Sequence, residues 1–256
     1  MALRYSKMEM MICAASRLLE DGRTVAVGTG APCAATMLAQ KTHAPSLIVA
    51  FEAGGFAPLL PQMPISVGDS RTFYRAVMAA GMSEMMTTCS RGLIDYAFLG
   101  GAQIDKYGNL NSTVIGPYEK PKVRLPGSGG ANDFASFCWR TIIMTVQNKA
   151  RFVEKVDFLT SPGYLDGPGA REAAGLPRGT GPYKIVTDLA ILRFDERTCA
   201  MKLESVHPEV TVDDVRRSTG FDLMVPEHVG QTLPPTAEQL KVLREQVDPH
   251  GYVTGR

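Results

Sequence analysis

Two stretches of this 256-residue chain place reactive or anion-binding groups where substrate chemistry could use them. In the first, Glu52 follows the apolar run SLIVAF of residues 46–51 and precedes Gly54-Gly55, and no charged residue occurs from position 53 to position 68. A carboxylate at the carboxyl end of a buried strand lies where open α/β sheets bind ligands, and there it can act as a nucleophile or a base. The same position suits a structural acid held by partners, and the residues alone leave both readings open. In the second stretch, Gly127, Ser128, Gly129 and Gly130 form a loop whose missing Cβ atoms let backbone N–H groups converge on an oxyanion. A tightly turned structural loop has the same composition. Ser128 is not in a Gly-x-Ser-x-Gly elbow, because Pro126 stands two residues before it, so a serine hydrolase is a weak reading.

Other candidate chemistry is thinner. Gly28-Thr29-Gly30 follows an apolar strand pattern, but the third glycine of a dinucleotide-binding turn would fall at Cys33, and no Gly-Lys-Ser or Gly-Lys-Thr occurs anywhere. The turn remains a candidate anion site because it opens a helix. His43, His207, His228 and His250 sit at no metal-ligand spacing and read as surface or loop residues, so no metal is expected and any general base must be a carboxylate. Five cysteines without a CxxC pair (Cys13, Cys33, Cys89, Cys138 and Cys199) read as reduced core thiols.

Composition sets the wider bounds. With 27 basic and 26 acidic residues the net charge is +1, which gives no global field to draw nucleic acid or an anionic membrane. Arg4, Lys7 and Glu9 interrupt the N-terminal apolar residues, so no signal peptide is read, and no uncharged apolar run reaches about 18 residues. The expected location is the cytoplasm.

The elements that must hold these residues alternate. A helix is predicted over residues 7–20, a strand over 24–27, a helix over 33–40 and a buried strand over 46–51. Helices over 72–80 and 82–90, broken at Gly81, lead to a strand over 94–99. Residues 100–131 form a connection far longer than usual, and its turn residues favour order over disorder. Strands over 140–146 and 155–160, a loop over 161–182, and a meander of strands over 184–187, 190–193 and 201–203 follow. Thr211 and Thr236 open two helices with capping-box patterns. The pattern predicts an α/β fold, an open, mostly parallel sheet with helices on both faces, in one domain over residues 1–256.

Several segments resemble the β subunits of class I coenzyme A transferases, those of the glutaconate type in particular. They are VGTGAP (27–32), IVAFEAG (48–54), SVGD (66–69), GGAQIDKYGNLNST (100–113), GSGGAN (127–132), TSPGYLDGPG (160–169), VTD (186–188), TGFD (219–222) and Asp248-Pro249. They occur in family order and cover nearly the whole chain, and GGAQID and GSGGAN are specific. The resemblance implies the class I CoA-transferase fold and a ping-pong transfer of CoA from an acyl-CoA to a free carboxylic acid. It makes Glu52 the nucleophile that carries a glutamyl-CoA thioester. It further implies an α subunit as partner, in an α2β2 or larger heteromer, acyl-CoA and a carboxylic acid as substrates, and no permanently bound cofactor. The loop of Gly127, Ser128, Gly129 and Gly130 would stabilise the oxyanion, with Gln103 as a further amide donor and Gly28, Thr29 and Gly30 as a CoA or anion turn. Acyl-CoA hydrolases, decarboxylases and carbon–carbon bond hydrolases share this fold, and a noncatalytic partner subunit is a further alternative.

One departure bears on substrate. The family commonly has Ser or Asn after the glutamate, whereas Ala53 stands here and Gly54, Gly55 and Phe56 continue an apolar run. If Ala53 to Phe56 line the acyl pocket, kinetics across an acyl series are expected to favour acids more apolar than glutaconate. A clear preference for glutaconate over bulkier acids would overturn this.

Overall fold

The computed structural model describes residues 3–255. In chain order the elements are α1 (Lys7–Ser16), β1 (Thr24–Ala26), α2 (Ala31–Lys41), β2 (Ile48–Ala50), β3 (Gly55–Phe56), β4 (Met78–Ala79), α3 (Met82–Ser90) and β5 (Tyr96–Leu99). Then come β6 (Gln103–Ile104), β7 (Leu110–Asn111), β8 (Val114–Ile115), β9 (Val123–Arg124), α4 (Ala131–Phe137), β10 (Arg140–Met144) and α5 (Ala170–Ala173). The chain closes with β11 (Pro182–Val186), β12 (Ala190–Phe194), β13 (Met201–Val206), α6 (Val212–Arg217), β14 (Gly230–Gln231) and α7 (Ala237–Val242), which runs into a π-helical turn, Leu243–Val247. Two compact units result: residues 1–98 with 233–256, and residues 99–232.

In the first unit the strand order is β5-β1-β2-β3-β4, with β1 parallel to both β5 and β2 and with β3 and β4 antiparallel at the edge. Val25, Ala26, Val49, Ala50, Tyr96 and Ala97 are buried, as strands covered on both faces require. The helices α1, α2 and α7 pack together. Ser6 and Glu9 form a reciprocal capping box at the start of α1. The Glu9 carboxylate, 1% exposed, also takes two hydrogen bonds from Arg244, at 2.7 and 2.9 Å, which ties α1 to the C-terminal helical turn.

The second unit has the order β14-β13-β12-β11-β10, parallel at β10–β11 and β13–β14 and antiparallel through β11–β12–β13. The long connection after β5 is ordered, as its turn residues predict: β6 pairs with β7 and β8 with β9, each pair antiparallel. Both capping boxes, at Thr211 and Thr236, are present.

Three predicted elements differ. Residues 72–80 are not a helix: a single 3₁₀ turn, Ser70–Phe73, leads to β4. Their backbone is committed to the sheet edge, where Val77 N–H donates to the Phe56 carbonyl and Ala80 N–H to that of Gly54, and this pairing overrides local helix propensity. Residues 155–160 form no strand: Asp157 N–H donates to a side chain, Gln103 Oε1, whereas Thr160 N–H reaches the Leu110 carbonyl. Helix α1 stops at Ser16, not Glu20, since Leu18 and Leu19 N–H groups donate to the carbonyls of Ala15 and Ser16 and tighten the last turn. Among the described residues no helix is long and apolar enough to cross a membrane.

His207 lies in the loop that follows β13, as the sequence reading allows, but it is 2% exposed rather than on the surface. Its Nε2 lies 2.8 Å from the Thr187 carbonyl and so carries the proton, while Nδ1 is buried without a partner. Burial lowers its pKa below the ordinary 6.5. In acid the unfolded chain therefore binds a proton that the folded chain resists, so this contribution to stability is complete above pH 6.5 and is lost as the pH falls further. The neighbouring Asp188 opposes the shift but does not cancel it. His207→Gln is expected to flatten the fall in denaturant midpoint between about pH 6.5 and pH 5. An unchanged slope would assign the acid sensitivity to other groups.

Candidate functional site

Glu52 sits in a connection between β2 and β3. Phe51 N–H donates to the Gly55 carbonyl at 2.9 Å, and Gly54 N–H returns to the Phe51 carbonyl at 2.8 Å. Gly54 has φ +105°, so the turn closes as a tight hairpin with a glycine bulge. Phe51 is fully buried and anchors the turn, while Glu52 and Ala53 are half-buried. The carboxylate thus emerges at the carboxyl end of a strand in the parallel part of the sheet, as the sequence predicts. The neighbouring parallel strand β1 ends in register beside it, with Val27 N–H donating to the Ala50 carbonyl, and leads into Gly28-Thr29-Gly30. The structure therefore brings Glu52 and the second turn to adjacent strand ends. Gly30 precedes α2 with φ +75°, and no side chain caps that helix.

The glycines around these turns do two different jobs. A Cβ on Gly54 would lie 2.4 Å from the Ala80 carbonyl oxygen, and one on Gly55 would lie 2.0 Å from that of Thr72. Both positions are filled by the chain's own backbone, and Phe56 belongs to β3, paired with Ala50 and Met78. At Gly28 and Gly30, by contrast, nothing lies within 4 Å of an added Cβ. Of the half-buried positions beside Glu52, the open backbone belongs to the Gly28 turn.

In the second unit, Gly127 also faces open space and has φ +96°. Its own N–H donates to the Ser112 carbonyl at 2.8 Å, and its carbonyl accepts from Ser112 Oγ at 2.9 Å. The N–H groups of Ser128 and Gly129 make no hydrogen bond among the described residues, so they are the candidate oxyanion donors of this loop. Ser128 Oγ accepts from Asn132 N–H at 3.0 Å and serves the start of α4. Asn132 Nδ2 in turn donates to the Thr160 carbonyl.

Gln103 is 6% exposed. Its Oε1 accepts from Asn111 Nδ2 at 2.7 Å and from Asp157 N–H at 2.9 Å, and its Nε2 donates to Asp157 Oδ2. Asp157 Oδ2 also accepts from Gly116 N–H, and Asn111 accepts from the N–H groups of Thr113 and Val114. The amide therefore braces the β8–β9 hairpin, with one of its two N–H donors already committed. Sequence reasoning missed Asn111 and Asp157 in this brace and also missed Arg171. The Arg171 guanidinium, 3% exposed, donates to the carbonyls of Ala135, Ser136, Pro162 and Gly163 and to Thr180 Oγ1. It clamps the carboxyl-terminal part of α4 to the following loop. Nothing in its local sequence, an arginine in a glycine-rich segment, signals that role.

Comparison with known proteins decides the family. Residues 8–218 match the Coenzyme A transferase family. The chain belongs to that family. It is 41% identical to one subunit of the glutaconate CoA-transferase of Acidaminococcus fermentans, over 96% of this chain and 93% of that one. It is 39% identical to one subunit of the 3-oxoadipate CoA-transferase of Pseudomonas knackmussii, over 94% and 92% respectively. The crystal structure of glutaconate coenzyme A-transferase from Acidaminococcus fermentans superposes with a TM-score of 0.93 at 38% identity, covering 98% of both chains. The open α/β sheet is thus the class I CoA-transferase fold, and this transferase is a CoA-handling enzyme subunit.

The two classes of glycine in the transferase give separable outcomes. Gly55→Ala is expected to yield little folded protein. Gly28→Ala is expected to leave the melting temperature within about 2 °C and to lower kcat/KM about tenfold, a change of about 1.4 kcal/mol in transition-state binding. Full activity in a well-folded Gly28→Ala variant would remove this turn from the substrate site.

Proposed function

We propose that this chain is the catalytic subunit of a CoA-transferase that moves CoA from an acyl-CoA to a free carboxylic acid, with Glu52 as nucleophile. The observation that carries the reading is the placement of Glu52 in a braced turn at the carboxyl end of β2, in a chain of this family. A glutamate needs no general base to be a nucleophile at neutral pH.

The chemistry balances in four transfers. The Glu52 carboxylate adds to the thioester carbonyl; a C–O bond forms, the C–S bond breaks and CoA leaves as thiolate, giving an acyl-glutamyl anhydride. The thiolate then attacks the glutamyl carbonyl of the anhydride and expels the acyl carboxylate, which leaves a glutamyl-CoA thioester. The acceptor carboxylate attacks that thioester, and CoA thiolate leaves to give a second anhydride. The thiolate returns to the acceptor's acyl carbon and regenerates the Glu52 carboxylate. Each addition develops an oxyanion, the charge that converging backbone N–H donors receive; one donor of this kind is typically worth about 10² to 10³ in rate.

Both transferase relatives are one subunit of an enzyme with more than one kind of chain, which supports a second, α-type subunit as partner, in an α2β2 or larger assembly. The span of the family match, residues 8–218, supports one functional domain across both compact units. Coenzyme A enters as part of the acyl-CoA substrate, with no resident cofactor, and the enzyme works in the cytoplasm.

The experiment is to incubate the chain with its partner subunit and acyl-CoA, trap the intermediate with hydroxylamine or borohydride, and map the adduct by mass spectrometry. A label on Glu52, together with CoA exchange into a free acid, is expected. Glu52→Gln is expected to reduce turnover by at least about 10³ while the complex still forms. Undiminished turnover in that variant overturns the proposal, and CoA release that depends on water and ignores acceptor acid would make the enzyme a hydrolase.

A further inference from the structure

The outer edge of β4 is apolar and exposed, and the chemistry at Glu52 makes no use of it. β4 closes the sheet of the first unit beyond β3. From Ala76 to Ser83 no residue is charged and none is proline. Val77 is 85% exposed, Met78 and Met82 are half-exposed, and Ala79 is exposed between them. Edge strands left in water are normally guarded by shortness, charge, proline or a bulge, because their unpaired main-chain groups pair with other strands. β4 is short but has none of the other guards.

The ladder shows which main-chain groups point outward. Phe51 N–H donates to the Gly55 carbonyl, so Gly55 turns its main-chain groups toward β2. Ala79 stands opposite Gly55, and the bond from Ala80 N–H to the Gly54 carbonyl makes the neighbouring pair the hydrogen-bonded one. Bonded and non-bonded pairs alternate in an antiparallel ladder, so the N–H and C=O of Ala79 face away from β3, to the outer edge. The N–H groups on either side are committed, that of Val77 to the Phe56 carbonyl and that of Gly81 to Glu84 Oε2 at 3.0 Å. Ala79 is therefore the residue of this edge that can exchange a pair of hydrogen bonds with an incoming strand.

An edge with one outward-facing residue has a single antiparallel register with a copy of itself, Ala79 on Ala79 about a two-fold axis. That register is self-complementary in three respects. The small side chain at the axis lets the two strands approach. Val77 falls opposite Gly81, which has no side chain to obstruct it. The end that carries Arg75 meets the end that carries Glu84, and these two exposed residues meet no opposite charge among the described residues. We propose that β4 pairs with β4 of a second copy of this chain, in antiparallel register centred on Ala79, so that one sheet runs through two protomers. The contact joins like subunits to each other and does not depend on which reaction Glu52 performs.

The test uses the full chain, alone and assembled with its partner subunit. Sedimentation equilibrium of the chain alone is expected to give twice its mass of 27.7 kDa. Val77→Lys is expected to weaken that dimer at least about tenfold, since a lysine is a usual guard of an exposed edge. Ala79→Cys reads the register directly: paired Cα atoms across the axis lie about 5.5 Å apart, so a short thiol-to-thiol cross-linker should join two copies of this chain, both alone and in the assembled enzyme. The unmodified chain, four of whose five cysteines are buried, and a Tyr252→Cys control on the exposed C-terminal segment should not be joined. Cross-linking of Ala79→Cys to the partner subunit would assign the edge to that chain and overturn the proposal. So would an unmodified chain that stays monomeric with no linked pair from Ala79→Cys, and a dimer that Val77→Lys leaves intact would place the self-contact elsewhere. If Val77→Lys fails to fold by circular dichroism, the Ala79→Cys cross-link decides.

Discussion

The arrangement around Glu52 depends on how closely two pieces of backbone approach each other. Residues 54 and 55 carry no Cβ, and the carbonyls of Ala80 and Thr72 occupy the space that a Cβ would take. That approach lets β3 lie between β2 and β4, which fixes the turn from Phe51 to Gly55 by hydrogen bonds at both ends. A functional group is useful only when its support is stiffer than the group itself. Here that stiffness comes from main-chain packing and main-chain hydrogen bonds.

The second unit solves the same problem by other means. Its long connection is held by polar side chains: buried Gln103 and Asn111 with the exposed Asp157 beside the β8–β9 hairpin, and buried Asp105 and Asn109 in the preceding turn, while buried Arg171 clamps α4. Asp105 accepts from Tyr107 N–H, Asn109 N–H and Asn109 Nδ2, and Asn109 Oδ1 accepts from the N–H groups of Gly163 and Leu165. Such networks are strong when every member is satisfied and costly when one is lost. They explain why a segment that reads as loop is nonetheless ordered.

How much of this was legible follows from which interactions decide each part. The alternation of apolar runs with amphipathic helices marked β1, α2, β2, β5 and the β11–β13 meander, since burial on both faces leaves a pattern in the residues themselves. Glu52 was visible because a lone acid ending such a run is unusual. The pairing of residues 77–80 with Gly54 and Phe56 was not visible, because the signal lies in the partner strand rather than in residues that favour a helix. Nor could the two kinds of glycine be told apart. Gly28 and Gly55 look alike in sequence, and only the position of distant carbonyls shows that one is open and the other filled. Arg171 escaped for a similar reason, as its partners are backbone carbonyls, which every residue possesses.

Cys33 lies just inside α2, three residues beyond Gly30, with no exposed surface. The start of a helix ordinarily lowers a thiol's pKa and makes it a better nucleophile. Burial reverses that tendency and pushes this thiol up to about 12, as it does for Cys13. A family that handles thioesters works beside an electrophile for which thiolates compete well, and each transfer releases a thiol that could form mixed disulfides with exposed cysteines. Burial keeps the sulfur next to the Gly28 turn protonated and out of reach, so the intrinsically better nucleophile at that end of the sheet is withheld from any electrophile in solution.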